Sequence, residues 1–323
     1  MNASIYTSYG PPAVLSLAEI EKPVPKNKEV LVAVKATTVN RTDCAMLRAK
    51  PFIMRFLTGL FKPKNPVLGT EFAGMIETVG RDVQAFKPGD RVFGFNDQGL
   101  HAHAQYLVLA EDKNITTIPG HITYKEAAAS FEGAHYAYNM IKKVNLEPGQ
   151  KVLVNGASGG IGSAAVQLLK HFGADITAVC GTKNIELVRS LGAGRVIDYT
   201  HTDFTKEDQQ YAVVLDTVGK SSFGKCKPLL QPGGAYISSE LGWLCENIFL
   251  ALFTPLFSKK KVIFPVPSDI KGTMRLVKQL LEQGIFKPVI DREYPLERIA
   301  EAFSYVETGQ KTGNVVISMD NYN

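Results

Sequence analysis

The chain has 323 residues, of which 45% are hydrophobic and 21% are charged, and its formal net charge is +5. This length exceeds one ordinary hydrophobic core, and the composition is that of a globular protein rather than of a disordered or fibrous chain. The four cysteines are far apart in the sequence, which indicates neither a disulfide framework nor a paired-cysteine zinc site.

Two local features bear on where the protein works. The amino terminus, Met1 to Tyr6, has no basic stretch followed by an apolar run, so no signal peptide is predicted and we expect a cytoplasmic protein. The run Lys259-Lys260-Lys261 has no interleaved aromatic residues, which favours a solvated turn over a nucleic-acid-binding surface. No nucleic-acid partner is expected.

The first third of the chain is predicted to be rich in β-structure. Short apolar runs alternate there with glycine and proline turns, such as the one at residues 87–90. The predicted strands are 29–36, 73–79, 91–95 and 104–109. This pattern is typical of a barrel-like domain.

From about Thr123, predicted strands alternate with predicted helices. The helical patterns cover 125–144, 163–172, 185–191 and 221–230, and the strands cover 151–155, 175–180, 195–199, 212–216 and 235–238. Such alternation predicts a doubly wound parallel sheet. The rest of the chain, with patterns at 269–283, 288–292, 295–306 and 314–318, is mixed.

A glycine-rich loop lies between the strand that starts at Lys151 and the helix that follows. Gly156 and Gly159 allow a tight turn and close approach to phosphates, and Gly162 lets the helix pack near the strand. The helix N-terminus then offers backbone amides to a pyrophosphate, so a dinucleotide is the expected ligand. The predicted contacts are Gly156, Ala157, Ser158, Gly159, Gly160, Ile161 and Gly162.

The end of the next predicted strand favours NADPH over NADH. A cofactor without a 2′-phosphate is usually met at this point by an acidic residue. The chain instead reads Gly181-Thr182-Lys183-Asn184, with a hydroxyl, an ammonium and no carboxylate. The alternative interpretation is that Lys183 is a solvated lysine at the start of a helix.

Residues 243–257 form the longest apolar stretch, which includes Glu246, Asn247 and Pro255. The stretch is too short to cross a bilayer, so no stable membrane insertion is predicted. We expect a buried or interface helix; the alternative, a helix on a membrane surface, is disfavoured because its polar face carries little positive charge.

Several motifs together carry a family resemblance over nearly the whole chain. They are Gly69-Thr-Glu-Phe-Ala-Gly-Met-Ile-Glu-Thr-Val-Gly80, Phe86-Lys-Pro-Gly-Asp-Arg-Val92, the glycine loop, Asp216-Thr-Val-Gly219 and Thr312-Gly-Asn-Val-Val316. The chain resembles the medium-chain dehydrogenase/reductase superfamily, and within it the zinc-free, NADPH-dependent quinone oxidoreductase branch.

The resemblance implies an α/β fold in two parts. A GroES-like, β-rich catalytic domain would comprise residues 1–122 and 268–323, and a Rossmann domain with a doubly wound parallel sheet would comprise residues 123–267. It also implies a homodimer. The cofactor contacts that it adds to the loop are Asn40, Gly181, Thr182, Lys183, Tyr199, Val218 and Asn314.

The same resemblance predicts that no metal is bound. Where the alcohol dehydrogenase branch has a cysteine, a histidine and a third ligand, this chain has Asn40, Thr70 and the neighbourhood of Glu132. Catalytic zinc needs about three good ligands, and only Glu71 and Glu132 remain as candidates.

The predicted reaction is hydride transfer from NADPH to a quinone or to an α,β-unsaturated carbonyl of apolar character. Asn40 and Tyr136 are the candidate catalytic donors, each with a purely structural alternative. The apolar segment 48–64, with Trp243 and Phe249, is the candidate wall for a bulky acceptor, or else core or dimer contact. Two other functions stay open, namely a metal-dependent alcohol dehydrogenase and an idle NADPH-binding sensor.

Overall fold

The computed structural model describes residues 1–52 and 54–320, and the side chain of Leu57 is not among its described parts. The prediction that Ile53 and the side chain of Leu57 belong to the candidate acceptor wall thus falls outside the described parts of the chain. The chain divides into two compact units. The β-rich unit consists of Met1–Phe131, Met274–Glu282 and the residues from Val289, and the parallel-sheet unit consists of Glu132–Thr273 and Gln283–Pro288.

Strands and helices follow one another along the described residues. The strands are β1 (Asn2–Ile5), β2 (Ser16–Glu19), β3 (Glu29–Val39), β4 (Glu71–Val79), β5 (Arg91–Phe95), β6 (Tyr106–Ala110), β7 (Ile115–Thr117), β8 (Lys151–Asn155), β9 (Asp175–Cys180), β10 (Arg195–Asp198), β11 (Tyr211–Asp216), β12 (Leu230–Ser238), β13 (Lys261–Ile263), β14 (Ile290–Pro295) and β15 (Asn314–Ser318). The helices are α1 (Arg41–Arg48), α2 (Met54–Thr58), α3 (Tyr124–Ala128), α4 (Glu132–Ile141), α5 (Gly160–His171), α6 (Ile185–Leu191), α7 (Phe223–Cys226), α8 (Glu246–Phe257), α9 (Ile270–Glu282) and α10 (Ile299–Glu307).

The β-rich unit is organised around β3, the long strand that pairs with β4, β6 and β15. Within the described residues its main sheet has the order β14-β15-β3-β4-β5-β7, with β6 added on β3. Alternate apolar side chains of β3 and β4, such as Phe72 of β4, face a hydrophobic core. Helix α10 adds further residues to this core, among them Phe303. The predicted β-rich domain is confirmed.

Because a histidine, His103, is buried in this unit, we expect the protein to lose stability in weak acid. Nε2 of His103 lies 2.8 Å from the carbonyl oxygen of Thr38, so this nitrogen carries the proton and donates. Burial lowers the pKa of His103 to about 4. Because the folded state holds the ring neutral, this stabilisation is complete above about pH 6.5 and is lost as the pH falls toward 4.

We expect the free energy of unfolding to fall by about 2 kcal/mol between pH 7 and pH 5 on account of this group. Urea unfolding at the two pH values measures the loss. His103→Gln keeps an N–H donor for Thr38 but cannot titrate, so the variant should lose correspondingly less stability over the same interval. An equal loss in both proteins would show that His103 is not the titrating group.

The parallel-sheet unit has the strand order β10-β9-β8-β11-β12-β13 across its described strands, and all neighbours run parallel. In chain order this is 3-2-1-4-5-6, the Rossmann arrangement. The order reverses between β8 and β11, whose last residues, Asn155 and Asp216, are directly paired. The predicted doubly wound sheet is confirmed, and ligands of such sheets bind beyond the strand ends at this reversal.

Two of the predicted helices are wrong in extent. The pattern at 125–144 is divided into α3 and α4. Thr123 and Glu126 form a capping box at the start of α3. The helix ends at Ala128, and the carbonyl of the next residue, Ala129, accepts a hydrogen bond from the side chain of Asn314. The pattern at 221–230 becomes α7 and a short 3-10 turn, because Pro228 has no N–H to continue an α-helix.

The segment 243–257 forms a 3-10 turn and α8, where a buried or interface helix was predicted. The prediction of burial within the chain is wrong, and the interface alternative stays a prediction. Phe257 is 84% exposed and Leu256 is 70% exposed. In the candidate acceptor wall of the β-rich unit, Phe52, Phe56 and Phe61 are likewise exposed. No helix of the described chain is long and apolar enough to cross a membrane.

Candidate cofactor-binding site

The glycine loop closes tightly on the end of β8. Gly156 has φ of +80°, which a residue with a side chain rarely adopts. A Cβ on Gly156 would lie 2.4 Å from Cγ1 of Val218, and a Cβ on Gly162 would lie 2.1 Å from the carbonyl oxygen of Gly156. Both positions therefore need glycine for packing within the loop.

Gly159 has a different role from its neighbours. It precedes the first residue of α5, has φ of −77°, and gives that helix no side-chain cap. An added Cβ would meet only the carbonyl oxygen of Gly156, at an ordinary 3.5 Å, so the space beside Gly159 is open. The first N–H groups of a helix have no intrahelical acceptor. The loop thus presents open space in front of unpaired backbone donors, which suits a pyrophosphate.

A buried carboxylate fixes the neighbouring turn. Asp216 Oδ1 accepts from Asn155 Nδ2 at 3.0 Å and from the Gly219 N–H at 3.0 Å. Its Oδ2 accepts from the Ser221 N–H at 3.1 Å and from the Tyr236 hydroxyl at 2.9 Å. These bonds hold the turn at residues 217–219 in place, so that Val218 in its centre lies against Gly156 of the glycine loop. Sequence reasoning missed this role of Asp216, although the residue ends an apolar strand beside the Thr-Val-Gly motif.

Removal of the Tyr236 hydroxyl tests how much its hydrogen bond to Asp216 contributes to the free energy of unfolding. Tyr236→Phe removes a buried donor to a carboxylate and leaves the shape of the ring unchanged. We expect the free energy of unfolding to fall by about 1.5–3 kcal/mol, the usual range for a hydrogen bond to a charged group. Chemical denaturation measures it, and an unchanged midpoint would show that the network does not stabilise the turn.

The predicted ribose end of the site lies after β9. Thr182 and Lys183 are exposed in a 3-10 turn, and the Tyr199 hydroxyl lies beside Gly181, 3.3 Å from where a Cβ of that glycine would be. The structure thus brings Gly181, Thr182, Lys183 and Tyr199 together, as the predicted contact requires.

Asp198 lies in the same cluster, and sequence reasoning missed it. Thr182 Oγ1 donates to Asp198 Oδ2 at 2.6 Å, and Thr200 donates to Oδ1 through its N–H and its hydroxyl. Hydrogen bonds from Thr182 and then Thr200 hold the pKa of Asp198 well below its usual range. A carboxylate is therefore present near the predicted 2′-phosphate position, engaged by hydroxyl donors. Its position at the end of β10, adjacent to β9 in the sheet, was the available signal.

In the β-rich unit, the side chain of Asn40 has structural partners on both sides. Its Oδ1 accepts from the Asp43 N–H at 2.9 Å, which caps α1, and its Nδ2 donates to Thr70 Oγ1 at 2.7 Å. Asn314 in the same unit donates through Nδ2 to the carbonyls of Ala129 and Val289, both at 3.1 Å. These bonds give each asparagine a role in the fold, and their predicted cofactor contacts stay predictions.

Tyr136 lines an apolar pocket of about 190 Å³ in the parallel-sheet unit. Met140, Ser239 and residues 264–267 form the rest of the lining. The hydroxyl of Ser239 is buried and has no hydrogen-bond partner among the described residues. A polar group in an apolar pocket is the usual means of orienting a small ligand. Sequence reasoning did not single out Ser239, since a serine at the end of a strand carries no distinctive pattern.

The two candidate metal ligands do not form a metal cluster. Glu71 is buried, and its Oε2 accepts from Thr38 Oγ1 at 2.7 Å. Glu132 opens α4. Across residues 1–52 and 54–320, no three His, Cys, Asp or Glu side chains are grouped so that they could hold a metal ion.

Comparison with curated proteins yields relatives over the whole chain. A 2-methylene-furan-3-one reductase of Solanum lycopersicum is 33% identical over 98% of this chain and 79% of its own length. An NADPH-dependent alkenal/one oxidoreductase of Arabidopsis thaliana is 31% identical over the same shares. The quinone-oxidoreductase QR1 of Triphysaria versicolor is 30% identical over 98% of both chains. The chain belongs to the medium-chain dehydrogenase/reductase superfamily, in its quinone oxidoreductase-like branch.

Family models match both parts of this superfamily member. The alcohol dehydrogenase GroES-like domain matches residues 26–146, and a model described as zinc-binding dehydrogenase matches residues 191–317. The solved structure of Escherichia coli quinone oxidoreductase complexed with NADPH has a TM-score of 0.81 and is 24% identical over 98% of this chain and 100% of that one. The GroES-like and Rossmann folds are both confirmed.

Proposed function

We propose that this medium-chain reductase binds NADPH at the glycine loop and transfers hydride to a quinone or an α,β-unsaturated carbonyl. The observation that carries the proposal is the loop itself. Gly156 and Gly162 hold it closed, while the open space at Gly159 faces the uncapped start of α5. The relatives, which include an NADPH-dependent alkenal/one oxidoreductase and quinone oxidoreductases, support this reaction class.

The residues present fit the proposed cofactor. Backbone donors at the start of α5 would hold the pyrophosphate, and Val218 would form an apolar wall beside it. Lys183 would meet the 2′-phosphate, with Tyr199 alongside, and Thr182, whose hydroxyl donates to Asp198, would lie next to it. We keep Asn40 and Asn314 as proposed contacts. When bound, NADPH supplies the hydride, and the protein supplies orientation and electrostatics.

The pocket at Tyr136 is the proposed place for the acceptor oxygen. Its volume of about 190 Å³ suffices for one ring, since an apolar cavity of about 150 Å³ already accepts benzene. Reduction of a quinone or enone places negative charge on the oxygen, and the hydroxyls of Tyr136 and Ser239 would donate hydrogen bonds to it. Residues 264–267 would give the acceptor ring an apolar surface to pack against. Asn40 remains the second candidate donor.

We propose that the reaction proceeds without zinc. Asn40 and Thr70 occupy positions that bear ligands in the alcohol dehydrogenase branch, and here the amide donates to the hydroxyl at 2.7 Å. An amide N–H bonded to a hydroxyl is a poor donor set for zinc, which prefers imidazole and thiolate. An acceptor that is already electron-poor needs no Lewis acid for hydride addition, unlike alcohol oxidation.

Steady-state oxidation of NADPH and NADH with 9,10-phenanthrenequinone and with an alkenal, each with and without a chelator, tests the proposal. We expect turnover that prefers NADPH and resists the chelator. Chelator-sensitive oxidation of an alcohol would instead establish the dehydrogenase alternative. Saturable NADPH binding without turnover of any acceptor would establish the idle sensor.

Matched variants then separate the donors. Tyr136→Phe and Ser239→Ala should each lower kcat with little change in NADPH affinity. Asn40→Ala should lower thermal stability, because it removes the cap of α1, and a loss of kcat beyond that of an equally destabilised variant would assign it a catalytic role.

The assembly and location of the protein belong to the same proposal. We propose a homodimer, as the family resemblance implies, and a cytoplasmic location. Light scattering of the purified protein tests the first, and localisation of a tagged full-length chain tests the second.

A further inference from the structure

Helix α8 differs from an ordinary surface helix, because polar residues lie on its buried side and large apolar residues lie on its exposed side. The side that faces the rest of the parallel-sheet unit is formed by residues at helical spacing, and two of the four are polar. They are Asn247, Leu250, Ala251 and Thr254. Asn247 Nδ2 donates to the Glu240 carbonyl at 2.8 Å, and Thr254 Oγ1 accepts from the Val262 N–H at 2.9 Å. These bonds fix the orientation of α8.

The opposite side of α8 is apolar and exposed. We call it the α8 face; it comprises Phe249, Leu252, Phe253, Leu256 and Phe257 of the helix, together with the exposed Trp243 and Leu244 of the turn that precedes it. Trp243 is 77% exposed and Leu252 is 65% exposed, with Phe253 at 54%. So many large exposed apolar side chains in one short segment mark an interaction site rather than an ordinary surface. Because the buried hydrogen bonds hold the helix in place, it cannot rotate to hide these side chains without breaking them.

A basic cluster follows the α8 face directly along the chain. It consists of Lys259, Lys260 and Lys261, joined by Lys227, whose carbonyl accepts from Lys260 Nζ at 2.9 Å. None of these four lysines forms an ion pair with a carboxylate within the described parts of the chain. The helix itself contributes one acidic residue, Glu246, at its opposite end.

We propose that the α8 face docks on an anionic lipid surface. Exposed aromatic and aliphatic side chains can enter the headgroup boundary of a bilayer, and the lysines that follow them in the sequence would meet anionic headgroups there. Anionic headgroups would complement the four lysines, whereas a second copy of α8 offers only one carboxylate for the same charge. The docking is peripheral and reversible, and it does not depend on the proposed hydride transfer.

Sedimentation of the full-length protein with vesicles tests the proposal. The protein should bind vesicles of phosphatidylcholine with phosphatidylglycerol, bind pure phosphatidylcholine much more weakly, and lose binding as salt is raised. The variant L256E/F257E should weaken binding at least about tenfold. The variant K259E/K261E should weaken it at least about 25-fold, since each lysine near an anionic surface contributes about fivefold.

Val24→Glu is the matched control, because Val24 is 82% exposed in the β-rich unit and the change also replaces a bare apolar side chain by a carboxylate. It should bind vesicles as the parent protein does. Circular dichroism melting shows that each variant is folded, whether or not the enzyme turns over any acceptor.

Absence of binding to anionic vesicles would overturn the proposal. So would equal binding to neutral vesicles with no effect of K259E/K261E. If light scattering shows that L256E/F257E converts a dimer to a monomer while the parent ignores vesicles, the α8 face is covered by a second copy instead.

Discussion

Gly159→Val should abolish measurable NADPH binding while the protein stays folded. The valine side chain would occupy the open space in front of α5, where the proposed pyrophosphate lies against backbone donors. The φ of −77° suits valine, and the Cβ meets only the Gly156 carbonyl oxygen, at 3.5 Å. The folded state therefore tolerates the side chain and the ligand does not. Fluorescence titration with NADPH and a thermal melt measure the two effects.

Two other glycines make this test specific. Gly120 is exposed, and a Cβ there meets nothing within 4 Å, so Gly120→Val should change neither NADPH affinity nor stability. Gly162→Ala should lower stability, because its Cβ would lie 2.1 Å from the Gly156 oxygen. Full NADPH affinity in Gly159→Val would remove the loop from the cofactor site.

Lys183→Ala should weaken NADPH binding by about 1.5–3 kcal/mol, or about 10- to 150-fold, and leave NADH nearly unchanged. Loss of one charge-assisted contact to the 2′-phosphate has this magnitude, and NADH has no such phosphate. Dissociation constants of both cofactors for the parent and the variant provide the measurement.

Lys206→Ala serves as the control, since its side chain is 82% exposed in the same unit and carries the same charge. It should affect neither cofactor. An equal loss of both cofactors in Lys183→Ala would exclude Lys183 from the 2′-phosphate site. A parent protein that prefers NADH would show that the charge of Asp198 outweighs that of Lys183 in this cluster.

The sequence predicted the two folds because their signals are local. Period-two apolar runs identified the strands of the β-rich unit, and the strand, glycine loop and helix around Gly156 identified the parallel sheet. Gly156 and Gly162 are glycines for the predicted packing reasons. Gly159 closes the turn through its N–H, which donates to the Gly156 carbonyl at 3.0 Å, and it leaves open space where a side chain would stand.

Features that depend on distant segments could not be predicted. Asp198 meets Thr182 because β10 lies beside β9, and a scan of residues 181–184 alone finds no carboxylate. In the sequence, the helical pattern continues across residues 129–131. In the structure, α3 ends before them, and Asn314, which is distant in the sequence, donates a hydrogen bond to the carbonyl of Ala129. The apolar content of α8 predicted burial, but contacts from Glu240 and Val262 fix its polar side inward.

The most direct test of the proposed function is to follow the hydride itself. The enzyme is supplied with NADPH that carries deuterium at the transferred C4 position, together with an alkenal, and the product is analysed by mass spectrometry. The proposal predicts a saturated aldehyde with one deuterium on the β-carbon and equimolar NADP⁺. Consumption of NADPH without deuterium in the product, or reduction at the carbonyl carbon to an alcohol, would contradict it.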